Sequence, residues 1–193
     1  MGANAGQIDY WNDEAGPKWV RLQELLDHQL ADLGLFVVER AAPAAGERVL
    51  DIGCGCGASS LELAQRVGPK GSVLGVDVSE PMLARARERA RHAGVDNLQF
   101  QRGDAQVTPF EPGSFDLVHS RFGIMFFEDP PAAFANMRRA LAPNGRVTFV
   151  CWQPLSENPW MRIPMAAALP HIELPPIPAP GAPGPFALGD DGR

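Results

Sequence analysis

Asp51 stands just ahead of Gly53, Gly55 and Gly57 in the stretch VLDIGCGCGASSLELA, residues 49–64. An apolar run ends in a carboxylate, three glycines follow at alternate positions, and the spacing then turns helical. A strand, glycine loop and helix in that order present backbone N–H groups and a helix N-terminus, which suits an anion. Residues 53–58 also satisfy G-x-G-x-x-A, the pattern that cradles a dinucleotide pyrophosphate, though alone it is a weakly specific signal. A second acid, Asp77, ends the next strand-like run about 20 residues on, where a carboxylate that bonds ribose hydroxyls belongs.

The two acids separate the ligands this loop could take. An ionised Asp51 at the loop mouth would repel a pyrophosphate by a few kcal/mol, even at an effective dielectric of about 20. A ligand with a cationic part would be welcomed there. S-adenosylmethionine has no phosphate, carries a sulfonium, and ends in an amino-acid tail whose ammonium needs an acceptor while its carboxylate accepts N–H groups. Glycines at 53, 55 and 57 let the backbone approach such a ligand with no Cβ between. An NAD-dependent oxidoreductase is the competing reading, favoured by the glycine pattern alone.

Other residue types narrow the chemistry. A net charge of −6 argues against a sequence-independent nucleic-acid binder, whose affinity comes from clustered Lys and Arg. Arg85, Arg87, Arg89 and Arg91 fall on several sides of one helix rather than along a stripe, as on a solvated face. Three cysteines, an odd number, do not make a disulfide framework. Cys54 and Cys56 with Cys151 could suggest a metal or thiol site. No apolar run approaches the roughly 18 residues of a membrane span. The N-terminus lacks a secretory pattern, so a cytoplasmic address is the expectation, with loose order up to about Tyr10.

The elements that must position these groups alternate between strand-like and helical runs, the pattern of a parallel sheet covered on both faces. A first helical region spans residues 17–42, with Trp19, Leu22, Leu25, Leu26, Leu30 and Leu33 at three- and four-residue spacings. Strands are expected at 48–52, 72–78, 98–103, 115–120 and 146–152. Between them lie helices from the glycine loop to 67, from the Ser79 N-cap to Gly94, and over 131–141. Ten of the 19 prolines lie between Pro154 and Pro185, and the run PPIPAPGAPGP cannot be helix or central strand. Only residues 160–169 read as helical there. The organisation is an N-terminal helical lid region (1–45), a cofactor-binding core (46–152) and a proline-rich C-terminal segment (153–193).

VLDIGCGCG resembles the first motif of class I S-adenosylmethionine-dependent methyltransferases, and VLGVDVSEPML, QRGDAQ and FDLVHSRFGIMFF resemble their next motifs in order. The likeness covers about residues 46–152 and is strongest to the small-molecule branch that includes ubiquinone and menaquinone biosynthesis methyltransferases. It implies an α/β Rossmann-like three-layer sandwich, with a mainly parallel sheet in the order 3-2-1-4-5 and helices on both faces. That order sets Cys151 about 10 Å from Cys54 and Cys56, which makes them wall and core residues, with no metal expected. It also implies transfer of a methyl group by in-line displacement, with S-adenosylhomocysteine as product. By this resemblance Asp51 supports the loop and the methionine ammonium, Gly53, Cys54 and Gly55 line the methionine part, and Asp77 takes both ribose hydroxyls. Asp104 accepts from the adenine amino group, Ala105 offers its N–H, and Val78 and Met82 pack on the ring. Ser120, Arg121 and Phe122 face the methyl donor, and Tyr10, Trp11 and Trp19 form a lid.

No nucleophilic residue is required. His119 is the nearest general base in sequence and Arg121 the nearest cation, although strand alternation sets His119 and Ser120 on opposite faces. Phe122, Ile124, Met125 and Phe126 would give the acceptor pocket an apolar wall, which favours a small apolar or aromatic molecule over a protein or nucleic acid. A non-catalytic module holding the cofactor or its product is the other alternative. The resembled family carries a sixth and a seventh strand that this sequence lacks, leaving strand five as an open edge. A proline-rich strap, a second copy of the chain, or a missing remainder of a longer enzyme would each account for that, the last being preferred.

Overall fold

The computed structural model describes residues 2–172 and 181–189. Five parallel strands form one sheet in the order β3-β2-β1-β4-β5. They are β1 Arg48–Ile52, β2 Ser72–Asp77, β3 Leu98–Arg102, β4 Phe115–Arg121 and β5 Leu141–Val150. The expected order is therefore observed, and β1 matches its predicted bounds. β5 starts earlier than expected: it follows directly on α7 (Pro130–Ala140) and carries an irregularity where its register against β4 shifts, between Phe115 and Leu117.

Alternation along the strands builds two apolar layers. Leu50, Ile52, Val76 and Val118 pack on Ala133, Met137 and Ala140 of α7. Val49, Val73 and Leu117 point the other way, onto Val38 and Ala41 of α4 (Ala31–Ala41) and Leu63, Ala64 and Val67 of α5 (Ala58–Val67). Ala90 of α6 (Glu80–Ala93) joins that second layer. Arg146 on β5 ties the end of α4 down, donating to the carbonyls of Ala41 and Ala42 at 2.8 and 2.9 Å while it forks onto Glu47.

The N-terminal region departs from expectation twice. The segment expected to be loose is a helix, α1 (Ala5–Asp13), because its ends find polar partners on the sheet side. Ser79 is the N-cap residue of α6, as expected, but makes no side-chain cap bond; Asn12 supplies it, accepting from Glu80 N (3.0 Å) while donating to Val78 O (3.0 Å). The Ser79 hydroxyl is turned instead to Trp11 O at 2.7 Å. The expected long helix over 17–42 is three helices, α2 (Ala15–Arg21), α3 (Gln23–Gln29) and α4, with non-helical breaks at Leu22 and Leu30. The breaks let Trp19, Leu26 and Leu30 turn inward while Leu22 and Leu25 stay 50% and 62% exposed. The uniform leucine spacing does not distinguish those two groups.

Three of the four arginines of α6 are ion-paired: Arg85 with Glu88, Arg87 with Glu80, and Arg89 with Asp27. After β5 the chain forms α8 (Pro159–Ala168). Residues 173–180, which hold most of the proline run, lie outside the described residues. The portion 181–189 packs back on the body: Gly184 N donates to Met125 O at 3.0 Å, and Leu188 touches both the α7-side core and the cluster around Phe122. Val147 and Phe149 on edge strand β5 are 39% and 41% exposed. Among the described residues no helix is long and apolar enough to cross a membrane.

Candidate functional site

A cavity of about 620 Å³ opens above the carboxyl ends of the strands, within the range of small-molecule sites. Its floor is the glycine loop. Gly53, at φ +63°, passes so close to the loop after β4 that a Cβ on it would lie 2.5 Å from Gly123 Cα. Gly55, at φ +54°, has the end of Met82 where a Cβ would go. Gly55 N donates to Asp77 Oδ2 (2.8 Å) and Ser79 N to Asp77 Oδ1 (2.9 Å), so the carboxylate that ends β2 is clamped across the loop. Burial pushes the Asp77 carboxyl above the ordinary carboxylate range, with the backbone N–H bonds opposing the shift.

Most of the expected residues meet here. Gly53, Cys54, Gly55, Asp77, Val78 and Met82 line the cavity on the loop and β2 side, and Asp104 and Ala105 continue it beyond β3. Arg121 and Phe122 close it at β4, and Tyr10, Trp11 and Trp19 reach it from the N-terminal helices. Trp11 sits edge-on to Tyr10, Trp19 and Phe126, with ring centroids 5.1–6.0 Å apart.

Four expected residues stand elsewhere. Asp51 is fully buried beneath the loop: Oδ2 accepts from Ser59 Oγ (2.8 Å) and Ser60 Oγ (2.6 Å), and Oδ1 faces His119 Nδ1 at 2.8 Å. Its carboxylate therefore braces the first turn of α5, where the helix dipole favours an anion, and it is not among the cavity-lining residues. His119 shares that burial and is not among the cavity-lining residues, so it is not placed to act as a general base. Ser120 is also absent from the lining; its hydroxyl donates to Ile52 O (2.7 Å) and accepts from Gly123 N (3.2 Å). Ile124, expected on the acceptor wall, belongs to the α7-side core, while Phe122, Met125 and Phe126 do line the cavity.

The structure adds residues that motif spacing did not indicate. Asn4 donates its side-chain amide to Asp104 Oδ1 (3.0 Å) and exchanges two bonds with Glu128, through its own N (2.8 Å) and from Glu128 N (2.7 Å). Asp104 Oδ2 is buried without a partner, as is Oε1 of Gln7, and both residues line the cavity. Phe122 lies flat on Trp152, 4.3 Å between centroids and 9° apart, and Trp160 flanks Trp152 at 5.2 Å. Phe122 holds this stack from a φ of +63°, a strained conformation for a bulky residue. No sequence signal marks Asn4 or Gln7, because their role depends on where α1 docks. The tryptophans are visible as residue types, but their partners are not.

Comparison with known proteins places this geometry. The family described as "Methyltransferase domain" matches residues 49–145. Aklanonic acid methyltransferase from Streptomyces sp. (strain C5) is 38% identical over 117 residues, covering 61% of this chain and 53% of that protein. Demethylmenaquinone methyltransferase from Lactococcus lactis is 35% identical over 113 residues, covering 58% of this chain and 45% of that protein. This chain thus spans about half the length of the curated relatives it matches. A crystal structure of a SAM-dependent methyltransferase from Aquifex aeolicus superposes with a TM-score of 0.63 over 69% of this chain and 72% of that one, at 24% identity, which supports the shared fold. The glycine loop, the acids at the ends of β2 and β3, the sheet order and the family match converge on one assignment: the chain belongs to the S-adenosylmethionine-dependent methyltransferases.

Proposed function

We propose that the cavity binds S-adenosylmethionine and that the chain transfers its methyl group to a small, apolar or aromatic acceptor. The observation that carries the binding mode is Asp104. Its Oδ2 is a buried acceptor without a donor on the cavity wall, and an unpaired buried carboxylate oxygen is costly unless a ligand N–H fills it. The adenine amino group is such a donor. Asp77, already oriented by Gly55 and Ser79, is set to accept the ribose hydroxyls, and Val78, Met82 and Ala105 give the adenine an apolar slot. Gly53 and Gly55 let the loop close against Gly123 and Met82, and the sulfonium part would lie over that loop.

The bound sulfonium supplies an electrophilic methyl carbon for in-line displacement. The chain's contribution is alignment and dryness. Phe122, Trp152 and Trp160 offer a flat aromatic surface next to the loop after β4, and the Trp11 cluster shields the opposite side. A planar acceptor would stack on that surface with solvent excluded. The names of the relatives, acting on aklanonic acid and demethylmenaquinone, fit an acceptor of that shape.

Calorimetric titration with S-adenosylhomocysteine and with NAD tests the cofactor. Binding of the first without the second is expected, and tight NAD binding would overturn the assignment. Transfer of a labelled methyl group to a panel of phenols, quinols, enolisable acids and amines then tests the reaction. Binding without transfer to any of them would identify a cofactor-holding module instead.

A further inference from the structure

The glycine loop has few N–H groups left for a ligand. Gly53 N and Cys54 N both donate to Val76 O (2.8 and 3.2 Å), Gly57 N donates to Cys54 O (2.9 Å), and Gly55 N is held by Asp77 (2.8 Å). Asp51 is withdrawn beneath α5. A zwitterionic tail lying on this loop therefore needs its cationic and anionic partners from another part of the wall.

One pair of opposite charges lines the cavity there. Arg121, at the end of β4, is the one cationic side chain among the described lining residues, and Asp27 of α3 stands beside it. Their contact is loose: Arg121 Nη2 lies 3.8 Å from Asp27 Oδ1, whereas the other described ion pairs measure 2.6–2.8 Å. Asp27 Oδ2 is committed to Gln23 Nε2 (2.6 Å) and Arg89 Nη2 (2.8 Å), which fixes the carboxylate and leaves Oδ1 to the loose contact with Arg121. The Arg121 side chain is only 13% exposed, and burial lowers its pKa from the ordinary arginine value. A guanidinium carries five donors, and a buried one is costly until an anion fills them.

Sheet order sets the sequence of contacts. Across the carboxyl ends of the strands come Asp104 after β3, Asp77 on β2, the glycine loop after β1, then Arg121 on β4. A ligand with its adenine at Asp104 and its ribose at Asp77 reaches Arg121 with its far end. We propose that Asp27 and Arg121 form the subsite for the amino-acid tail, Arg121 receiving the carboxylate and Asp27 Oδ1 the ammonium. The inference rests on reading the cavity as the S-adenosylmethionine site, and it assigns to Asp27 the role that sequence reasoning gave to Asp51.

The test compares two ligands by calorimetry on the full chain: S-adenosylhomocysteine, and 5′-methylthioadenosine, which keeps the adenosine and thioether but lacks the tail. Arg121→Gln and Asp27→Asn should each weaken S-adenosylhomocysteine by about ten- to a hundredfold, the size of a charge-assisted hydrogen bond. Both should bind 5′-methylthioadenosine within about twofold of the unaltered chain, since additivity holds for parts of the ligand that share no partner. Unchanged S-adenosylhomocysteine affinity in both variants would overturn the proposal, leaving the tail on the N-terminus of α5. Failure of the unaltered chain to bind either ligand would overturn the cofactor reading beneath it. Should Arg121→Gln not fold, the near-isosteric Asp27→Asn carries the test, and Arg121→Lys should retain part of the affinity for the tailed ligand.

Discussion

Gly53 and Gly123 meet back to back: a Cβ on the first would fall 2.5 Å from the Cα of the second, and a Cβ on the second 2.7 Å from the Cα of the first. The loops after β1 and β4 are thereby locked at backbone contact under the cavity. Gly123 has an ordinary φ of −83°, so Gly123→Ala adds crowding alone, whereas Gly53→Ala adds crowding to a positive φ. Each should lower unfolding free energy by about 2 kcal/mol or more, Gly53→Ala the more, as read from urea midpoints. Both should lose affinity for S-adenosylhomocysteine. Full affinity in either variant would show that the floor tolerates separation of the loops.

Asp51 binds two serine hydroxyls and the His119 ring in a buried cluster, so its replacement should act on stability before it acts on the ligand. Asp51→Asn introduces an amide N–H₂ where three donors converge. The expected loss is about 3 kcal/mol, the scale for breaking a buried charged network. On the folded fraction, S-adenosylhomocysteine affinity should change by less than about threefold, because the charge reaches the ligand only through distance. A large affinity loss at unchanged stability would return Asp51 to the ligand.

Asp77 gives the site a pH dependence. Burial raises its pKa, and ribose hydroxyls would donate to the ionised form, so binding expels the proton. S-adenosylhomocysteine affinity should therefore rise with pH through a window just above the ordinary carboxylate value and level off beyond it. In the unliganded chain the sign is opposite. The folded state holds this proton more tightly than the unfolded chain, so Asp77's contribution to stability falls as pH climbs through the same window. Calorimetry across the acid range should show the binding slope, and Asp77→Asn should abolish it together with most of the affinity.

Trp152 follows β5, across the sheet order from Asp104 after β3, and stacks on Phe122, so under the proposed binding mode it should divide acceptor from cofactor effects. Trp152→Ala should lower kcat/KM for an aromatic acceptor by about tenfold or more, given the worth of a stacked ring pair plus its buried area. Affinity for S-adenosylhomocysteine should stay within about twofold. Equal losses in both would mean that Trp152 shapes the whole cavity.

Residue order alone determined the sheet, because long apolar strands, helical spacing and glycine or proline punctuation all act over a few neighbours. β1, the glycine loop, α5, and α6 from Ser79 to Gly94 could be read that way, and so could the acids at 77 and 104, which sit where strands end. The ligand class was read from Asp51 at the loop mouth and from the motif resemblance; with Asp51 buried beneath the loop, the resemblance and the acids at 77 and 104 carry it. Tertiary structure alone decided which side of the loop Asp51 serves, since a carboxylate beside glycines is equally compatible with facing a ligand or the first turn of the next helix. Two serines and a histidine 68 residues away made that choice. Docking likewise decided the N-terminal region: α1 is ordered by Asn4 and Asn12 reaching Glu128, Asp104 and Val78, and the leucine-spaced segment breaks so that Asp27 can stand beside Arg121. Such contacts join residues far apart in the chain, and local pattern carries no record of them.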